Sequence, residues 1–361
     1  MCSDIEPPPE SRVRPLQSAF PPANERVAVV VNGNAKNVTR DVVETLDQIL
    51  LGSDLFVSRR IEEGPDIART IADRGYGTVL TGGGDGTFTV VVSEVVKACR
   101  KLGKKPPRFG LLKLGTGNSL AWVIGASGAK GRGLAADIQR LRQEAGSRPM
   151  RLINIDDTLS PFCGFGLDAV VLEHKEATKA WMQGLPIIGK YVTGEMIYFM
   201  AVATRSIPHY AVRSKLHFRV INEGSDAYRV GYNGSIIGTP IPKGAVVFEG
   251  SARIGCCSTI PYYGFGFRVF PYAEERSDRM HLRFSTLPVP TFLRNLPEFW
   301  RGEYHNPDVI EDFLVDDVTI EVDPPSPFQI GGDLHGVKNS ARLRLSPDPV
   351  DLVDFYAPPL G

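Results

Sequence analysis

The chain has 361 residues and a formal net charge of zero at pH 7, because 41 basic residues balance 41 acidic ones. This balance excludes the strongly basic surface that draws a whole protein to nucleic acid, so no nucleic-acid partner is expected. Hydrophobic residues make up 42% and charged residues 23% of the chain, as in folded globular proteins, and the length allows two domains. The five cysteines form no CxxC pair, so neither a disulfide framework nor a zinc site is expected.

The first 25 residues contain two proline clusters and mixed charges, without a continuous apolar segment. This composition predicts a disordered leader over residues 1–25 and no signal peptide. No later run approaches the roughly 20 apolar residues that cross a bilayer as a helix. We therefore expect a cytoplasmic protein that contacts membranes only peripherally.

Residues 26–147 alternate short apolar runs with stretches of helical spacing. The β-branched run at 26–31 is followed by a helical pattern at 39–51, and the same succession is repeated through strand-like runs at 77–80 and 109–112. Regular alternation of strands and helices predicts a doubly wound α/β domain, in which a parallel sheet carries helices on both faces. Ligands bind such sheets at the carboxyl ends of the strands.

Two glycine-rich segments follow two of these predicted strands. Residues 81–87 read Thr-Gly-Gly-Gly-Asp-Gly-Thr, and residues 114–118 read Leu-Gly-Thr-Gly-Asn. Glycine lets backbone N–H groups approach a phosphate closely, and a following helix start favours anions. Two such loops in one domain predict a polyphosphate ligand, most simply a nucleotide. The predicted nucleotide-binding residues are Asn32, Thr81, Gly83, Gly84, Asp85, Gly86, Thr87, Gly115, Thr116, Gly117 and Asn118.

Asp85 is a carboxylate in a segment predicted to hold phosphates. It would repel them unless a cation lay between, so we predict that Asp85 holds either a divalent metal or a substrate hydroxyl. The alternative is that Asp85 caps the helix predicted to begin near Phe88. The two roles are compatible.

The pattern changes after residue 147, where short strand-like runs dominate up to residue 346. This predicts an antiparallel β-rich domain over 148–346 with a helical insertion at 167–207. The insertion combines apolar and aromatic residues with flanking lysines, which suits either a lipid cleft at the membrane surface or a core helix. The role of the apolar stretch at 287–300 stays open, with a position in the core as the default.

Several of these segments together resemble the soluble diacylglycerol kinase family, which includes sphingosine and ceramide kinases. The resemblance rests on Gly-Gly-Asp-Gly-Thr at 83–87 and Leu-Gly-Thr-Gly-Asn-Ser-Leu-Ala at 114–121, with weaker matches at 32–35 and 162–169. NAD kinases and phosphofructokinases share the first motif, but the second has the lipid-kinase form.

The resemblance implies a particular reaction and domain arrangement. It implies an ATP-dependent, Mg²⁺-requiring lipid kinase that moves the γ-phosphoryl group to a lipid alcohol such as diacylglycerol, ceramide or a sphingoid base. It also implies that residues 347–361 return to the first domain, and it is compatible with a homodimer.

The chain departs from the family at a C-terminal Asp-Gly-Glu motif, where it reads Gly331-Gly332-Asp333. The resemblance implies that Asp333 is catalytic, while His335 and Asp85 remain alternatives for the base that accepts the hydroxyl proton. The glycines would equally suit a tight turn. The resemblance also implies a metal-binding role for Asp278. The altered motif leaves open a second function, that of a catalytically impaired nucleotide- or lipid-binding module.

Overall fold

The computed structural model describes residues 26–35, 37–49, 54–115, 117–128, 132–142, 145–167, 169–173, 215–264 and 266–356. The predicted leader at 1–25 lies outside these residues. Most of the predicted insertion at 167–207 also lies outside them, although residues 169–173 are helical.

The first sheet has six strands in the order β2-β1-β3-β4-β18-β5. Its strands are β1 (Val27–Asn32), β2 (Leu55–Ser58), β3 (Thr78–Gly83), β4 (Arg108–Lys113), β5 (Gly146–Met150) and β18 (Val350–Asp354). All neighbouring pairs are parallel except the edge pair β18–β5. The strands β1, β3 and β4 are buried along most of their length, as expected for a sheet covered on both faces.

Five helices connect the strands of this sheet. They are α1 (Arg40–Ile49), α2 (Gly64–Arg74), α3 (Asp85–Lys101), α4 (Ser119–Ile124) and α5 (Arg132–Arg142). Helix α3 buries Phe88, Val92, Val95 and Cys99, which recur at helical spacing and pack on the sheet. The doubly wound α/β prediction is therefore confirmed.

The second sheet has twelve strands, and all of its pairings are antiparallel. Its strands are β6 (Ile153–Ile155), β7 (Thr158–Ser160), β8 (Phe162–Gly166), β9 (Leu216–Asn222), β10 (Ala227–Val230), β11 (Ile236–Ile241), β12 (Val246–Ala252), β13 (Ile254–Ser258), β14 (Met280–Ser285), β15 (Ile310–Val315), β16 (Asp317–Ile330) and β17 (Asp333–Leu345). Two short helices, α6 (Val289–Arg294) and α7 (Leu296–Arg301), follow β14. The predicted antiparallel β-rich domain is confirmed.

The chain passes between the two sheets at one place. Residues 146–149, which span the predicted change of pattern after residue 147, form most of β5. Proline is tolerated there because β5 is an edge strand, where Pro149 does not need to donate a ladder hydrogen bond on its free side. Met150 pairs with Val350, so the chain enters and leaves the second sheet from adjacent residues.

The two sheets share a packed boundary. Leu159, Phe162 and Ile260, from the second part of the chain, belong to the same buried apolar cluster as the first sheet. A polar contact supports it, since the backbone N–H of Leu159 donates to Ser93 Oγ of helix α3 at 2.8 Å. The glycine loops after β3 and β4 therefore lie on a surface next to the second domain. Within the described residues, no helix combines the length and apolar character needed to cross a bilayer.

Candidate functional site

The two glycine loops touch through their backbones. A Cβ atom on Gly115 would lie 2.6 Å from the backbone nitrogen of Gly84, closer than real Cβ atoms approach a backbone atom. The absence of side chains at this point lets the ends of β3 and β4 form one continuous backbone surface. Such a surface is suited to a phosphate group because glycine lets a ligand approach the backbone closely.

Asp85 joins the two loops. It is the first residue of α3 and is only 7% exposed. Its Oδ2 accepts the N–H of Ser119 at 2.8 Å, and its Oδ1 accepts the N–H of Leu120 at 3.0 Å. These donors begin helix α4 and have no acceptor within their own helix. Asp85 therefore caps α4, whereas the predicted alternative was a cap on the helix that contains Phe88.

The environment of Asp85 also perturbs its protonation. Burial raises the pKa of Asp85, the hydrogen bonds from Leu120 and Ser119 oppose the rise, and the negative charge of Asp333 adds to it. Both carboxylate oxygens already accept backbone hydrogen bonds. A direct role of Asp85 in catalysis stays a prediction. Its hydrogen bonds show a structural role, which is to join the first glycine loop to helix α4.

Asn118 shapes the second loop from inside. Its backbone has a φ of 46°, the left-handed conformation that asparagine tolerates better than most residues. Its Oδ1 accepts the N–H of Gly115 at 3.0 Å, and its Nδ2 donates to the carbonyl of Gly115 at 2.6 Å. The side chain is thus engaged within the loop. Thr116 lies outside the described residues.

The remaining predicted contacts divide between the sheet and the loop surface. Thr81 is fully buried, and its hydroxyl donates to the carbonyl of Gly110 at 3.2 Å, so it supports the sheet. Asn32 Nδ2 donates to Thr87 Oγ1 at 3.4 Å. Thr87 folds over Gly83, where an added Cβ would lie 2.6 Å from the Thr87 Cβ. Asn32, Gly83 and Thr87 are thereby brought together beside the first loop.

Asp333 reaches this surface from the second sheet. Strands β16 and β17 are joined by a two-residue hairpin turn, in which Gly331 and Gly332 have φ of 60° and 87° and Ile330 pairs with Asp333. A Cβ atom on Gly86 would lie 2.6 Å from the Asp333 Cγ. The exposed carboxylate of Asp333 therefore lies directly against the first glycine loop.

Gly331 cannot carry the acidic side chain that the family motif has at this position. Besides the positive φ, a Cβ atom on Gly331 would overlap Thr89 Oγ1 and would lie 3.2 Å from Ser160 Oγ. The backbone N–H of Gly331 also donates to the carbonyl of Phe162 at 2.9 Å, which holds the turn against β8 of its own sheet. The glycine is therefore required by space as well as by conformation.

Two further residues fix this turn, and sequence reasoning missed both. Gln329 is fully buried, its Oε1 accepts the N–H of Gly332 at 2.9 Å, and its Nε2 donates to Tyr263 Oη at 2.6 Å. The available signal was a glutamine between Phe328 and Ile330 in an apolar strand, because buried polar side chains need partners.

Asp278 is held by cations. It accepts hydrogen bonds from Arg276 at 3.0 Å and from Arg279 at 2.8 Å. The hydrogen bonds from Arg276 are the main cause of its lowered pKa, and the charge of Arg279 adds to the effect. Among the described residues, no three His, Cys, Asp or Glu side chains form a group that could hold a metal ion. A metal role for Asp278 stays a prediction.

A cavity of about 410 Å³ opens beside the end of β1. Its lining residues come from the loop after β1, from α1 and from the end of β2, and they are Gly33, Val38, Thr39, Arg40, Val43, Val57 and Arg59. It adjoins Asn32, and Asn37 Nδ2 donates to the carbonyl of Gly115 at 3.4 Å. The cavity therefore lies near the loop surface. Sequence reasoning did not identify it, because Val57 and Arg59 follow no motif.

Comparison with known proteins agrees with this geometry. Residues 26–152 match the model of the diacylglycerol kinase catalytic domain. Two solved structures from Bacillus anthracis str. Sterne, both assigned as diacylglycerol kinases, share the fold. One has a TM-score of 0.59 at 13% identity and the other 0.55 at 12%, and each match covers 91% of this chain and 97% of the other. No curated protein shows significant similarity to the chain.

Proposed function

We propose, from the match of residues 26–152 to the model of the diacylglycerol kinase catalytic domain, that the chain is a lipid kinase that transfers the γ-phosphoryl group of ATP to the hydroxyl of a lipid alcohol. The observation that carries the proposal is the contact between Asp333 and Gly86, which brings a carboxylate of the second domain to the glycine loops of the first. A phosphoryl transferase needs such a meeting of donor and acceptor sites.

The two glycine loops are the proposed binding site of the nucleotide phosphates. The close approach of Gly84 and Gly115 keeps side chains out of the contact between the loops, and α3 begins at Asp85, immediately after the first loop. The N-terminus of a helix carries a partial positive charge and free N–H groups, both of which stabilise phosphate oxygens. Gly86 and Thr87, in the first turn of α3, are the residues best placed to donate.

The cavity beside β1 is the proposed binding site of the nucleoside. Its volume of about 410 Å³ is in the range of small-molecule sites, and its lining combines the apolar Val38, Val43 and Val57 with the cations Arg40 and Arg59. Because the cavity adjoins Asn32, a nucleotide lying there would extend its phosphates towards the glycine loops.

Asp333 is the proposed general base. It is exposed, lies against the phosphate surface and could accept the proton of an incoming hydroxyl. Asp85 is buried, and its oxygens accept two backbone hydrogen bonds. His335, two residues further along β17, lies on the same face as Asp333 and is the alternative base.

Mg²⁺ would neutralise charge on the nucleotide phosphates. It commonly uses one or two protein carboxylates together with phosphate oxygens and water, so a protein cage is not required. Asp333 is the exposed carboxylate that lies against the first glycine loop and would hold the ion there; in that case His335, the alternative base, would accept the hydroxyl proton.

The proposed acceptor is an alcohol of the diacylglycerol, ceramide or sphingoid class, taken from the surface of a membrane that the protein visits from the cytoplasm. This choice rests on the family. The second candidate, a nucleotide-binding module without turnover, is motivated by Gly331, which stands where the family has an acid. The position of Asp333 favours turnover, because a carboxylate still reaches the first loop.

The deciding experiment measures transfer of phosphate from labelled ATP to a panel of lipid alcohols in mixed micelles with Mg²⁺. We expect transfer by the wild type and a loss of about 10²–10⁴-fold in kcat for Asp333→Ala. Asp308→Ala, which removes an exposed carboxylate elsewhere on the second domain, is the matched control. ATP binding without transfer to any lipid would instead support the binding module.

A further inference from the structure

A cluster of aromatic side chains lies beside the second glycine loop. We call it the aromatic face and define it by four aromatic and two basic residues: Trp122, Tyr262, Phe267, Trp300, Lys113 and Arg268. Trp122 and Trp300 are 39% and 44% exposed. Tryptophan is normally well buried, so two partly exposed tryptophans in one cluster point to an interaction surface.

The members of the aromatic face are contiguous although they come from distant parts of the chain. The rings of Trp122 and Tyr262 are 6.2 Å apart between centroids. A Cβ atom on Gly266 would lie 3.2 Å from the Trp122 ring. The next residue, Phe267, packs against Trp300 with a centroid distance of 4.3 Å. Residues of α4, the segment after β13 and α7 therefore form one surface.

The two cations of the aromatic face lie over its rings. Lys113 Nζ is 4.2 Å from the centroid of the Trp122 ring, and Arg268 Cζ is 6.0 Å from that of Tyr262. Among the residues that the structure describes, neither cation makes an ion pair with an acid. Two charges without an acidic partner, held next to exposed indoles, are complementary to an anionic and partly apolar surface.

The neighbouring charges preserve this character. Helices α6 and α7 add exposed Arg294 and Arg301, while the acids nearby are Glu298 and Glu303. Arg301 already pairs with Glu303 at 2.6 Å. The basic and acidic residues around the aromatic face thus balance each other in charge. The excess of positive charge on the face itself comes from Lys113 and Arg268.

We propose that the aromatic face docks on the surface of a lipid bilayer that contains anionic lipid. Tryptophan is favoured at membrane–water interfaces because its ring is apolar while its N–H remains polar, and lysine and arginine are attracted to anionic head groups. Identifying the bilayer as the partner rests on the proposed function, since a kinase of lipid alcohols must meet its substrate at a membrane.

The location of the face fits this role. Trp122 lies in α4, which begins where the second glycine loop ends. The backbone N–H of Gly264, close to Tyr262, donates to Ser119 Oγ at 2.7 Å and ties the two segments together. Docking through this face would therefore place the boundary between the two domains next to the bilayer.

The test is sedimentation of the full chain with sucrose-loaded vesicles in the absence of nucleotide. Vesicles of phosphatidylcholine alone are compared with vesicles containing one quarter phosphatidylglycerol. We expect binding to the anionic vesicles, weakened roughly tenfold or more in the double variant Trp122→Ala/Trp300→Ala, which loses two interfacial rings. Arg268→Gln should weaken it by about fivefold, the effect of one basic residue near an anionic surface.

The control variant is Ile61→Ala, which removes an exposed apolar side chain from the first domain and should bind vesicles like the wild type. Thermal unfolding checks that each variant is folded. Absence of binding to anionic vesicles, or undiminished binding by the double variant, would overturn the proposal. Transfer of phosphate to a short-chain diacylglycerol that dissolves without a bilayer tests the proposed kinase separately, so the two failures can be told apart.

Discussion

Gly115 approaches Gly84 so closely that a Cβ atom on Gly115 would lie 2.6 Å from the Gly84 nitrogen. This contact makes one surface out of the ends of two strands. A methyl group cannot be accommodated by rotation of a side chain, because the atoms it would meet belong to the backbone. The loops would have to separate, and the proposed phosphate donors would move with them.

We therefore expect Gly115→Ala to impair nucleotide binding and turnover. A displacement of about 1 Å in a catalytic constellation can cost on the order of 100-fold in rate. Gly128→Ala is the matched control, because a Cβ atom there would meet nothing within 4 Å and the residue does not have a positive φ. Calorimetric titration with ATP would measure the affinity. Normal ATP affinity and normal activity in Gly115→Ala would contradict a functional role for the contact between Gly115 and Gly84.

We expect Asp85→Ala to lose stability and Asp333→Ala to lose activity. Asp85→Ala leaves the N–H groups of Ser119 and Leu120 without their acceptor, which should lower the free energy of unfolding by about 1–3 kcal/mol for each donor that stays buried. Asp333 is exposed, so Asp333→Ala should lose activity and keep its stability within about 0.5 kcal/mol. Denaturant unfolding of both variants tests this division. Equal destabilisation would show that it is wrong.

Restoring the acid of the family motif should harm this chain. In Gly331→Asp the new side chain would overlap Thr89 Oγ1 at a backbone φ of 60°, and we expect a loss of about 2–4 kcal/mol from overpacking and strain together. Gly332→Asp carries the strain alone, since nothing lies within 4 Å of its Cβ position. In thermal unfolding, Gly332→Asp should have a higher Tm than Gly331→Asp. Adding Thr89→Ala should recover part of the difference.

A buried polar network in the second domain predicts a pH dependence of stability. His281 Nε2 lies 2.9 Å from Asp312 Oδ1, and Arg283 contacts the same carboxylate through Nε at 2.6 Å and Nη2 at 2.9 Å. All three side chains are buried. Burial lowers the pKa of His281, the charge of Arg283 lowers it further, and Asp312 opposes the shift.

The folded state therefore resists protonation of His281, while the unfolded chain binds a proton near the ordinary histidine pKa of 6.5. Stability should fall as the pH drops below about 6.5, with a slope of up to about 1.4 kcal/mol per pH unit from this group. His281→Gln should flatten the profile of Tm against pH between pH 7 and 5. His217→Gln, which removes an exposed histidine outside this buried network, is the control variant.

The elements that could be predicted from sequence are those with a local cause. The run at 26–31 and the alternation of strand-like and helical patterns after it predicted the parallel sheet, because such periodicity acts over a few residues. Strand β5 was missed because Ser147 and Pro149 resemble a linker. Its pairing with β18 joins residues 200 positions apart, and no short-range pattern carries that information.

In the candidate site, too, the features with a local cause could be predicted from the sequence and those that depend on distant residues could not. The composition of the loops indicated phosphate binding, but it could not show that Asp85 would cross to α4 or that Asp333 would meet Gly86, because both contacts depend on how the domains pack. The substitution at Gly331 looked like a loss in the motif. It is explained by Thr89, which lies 242 residues earlier in the chain.

The pairing of Met150 with Val350 also bears on what holds the two domains together. Because the chain enters and leaves the second domain through these neighbours, the two connections between the domains lie side by side. The position of Asp333 against Gly86 therefore depends on the packed boundary between the domains and not on these connections alone.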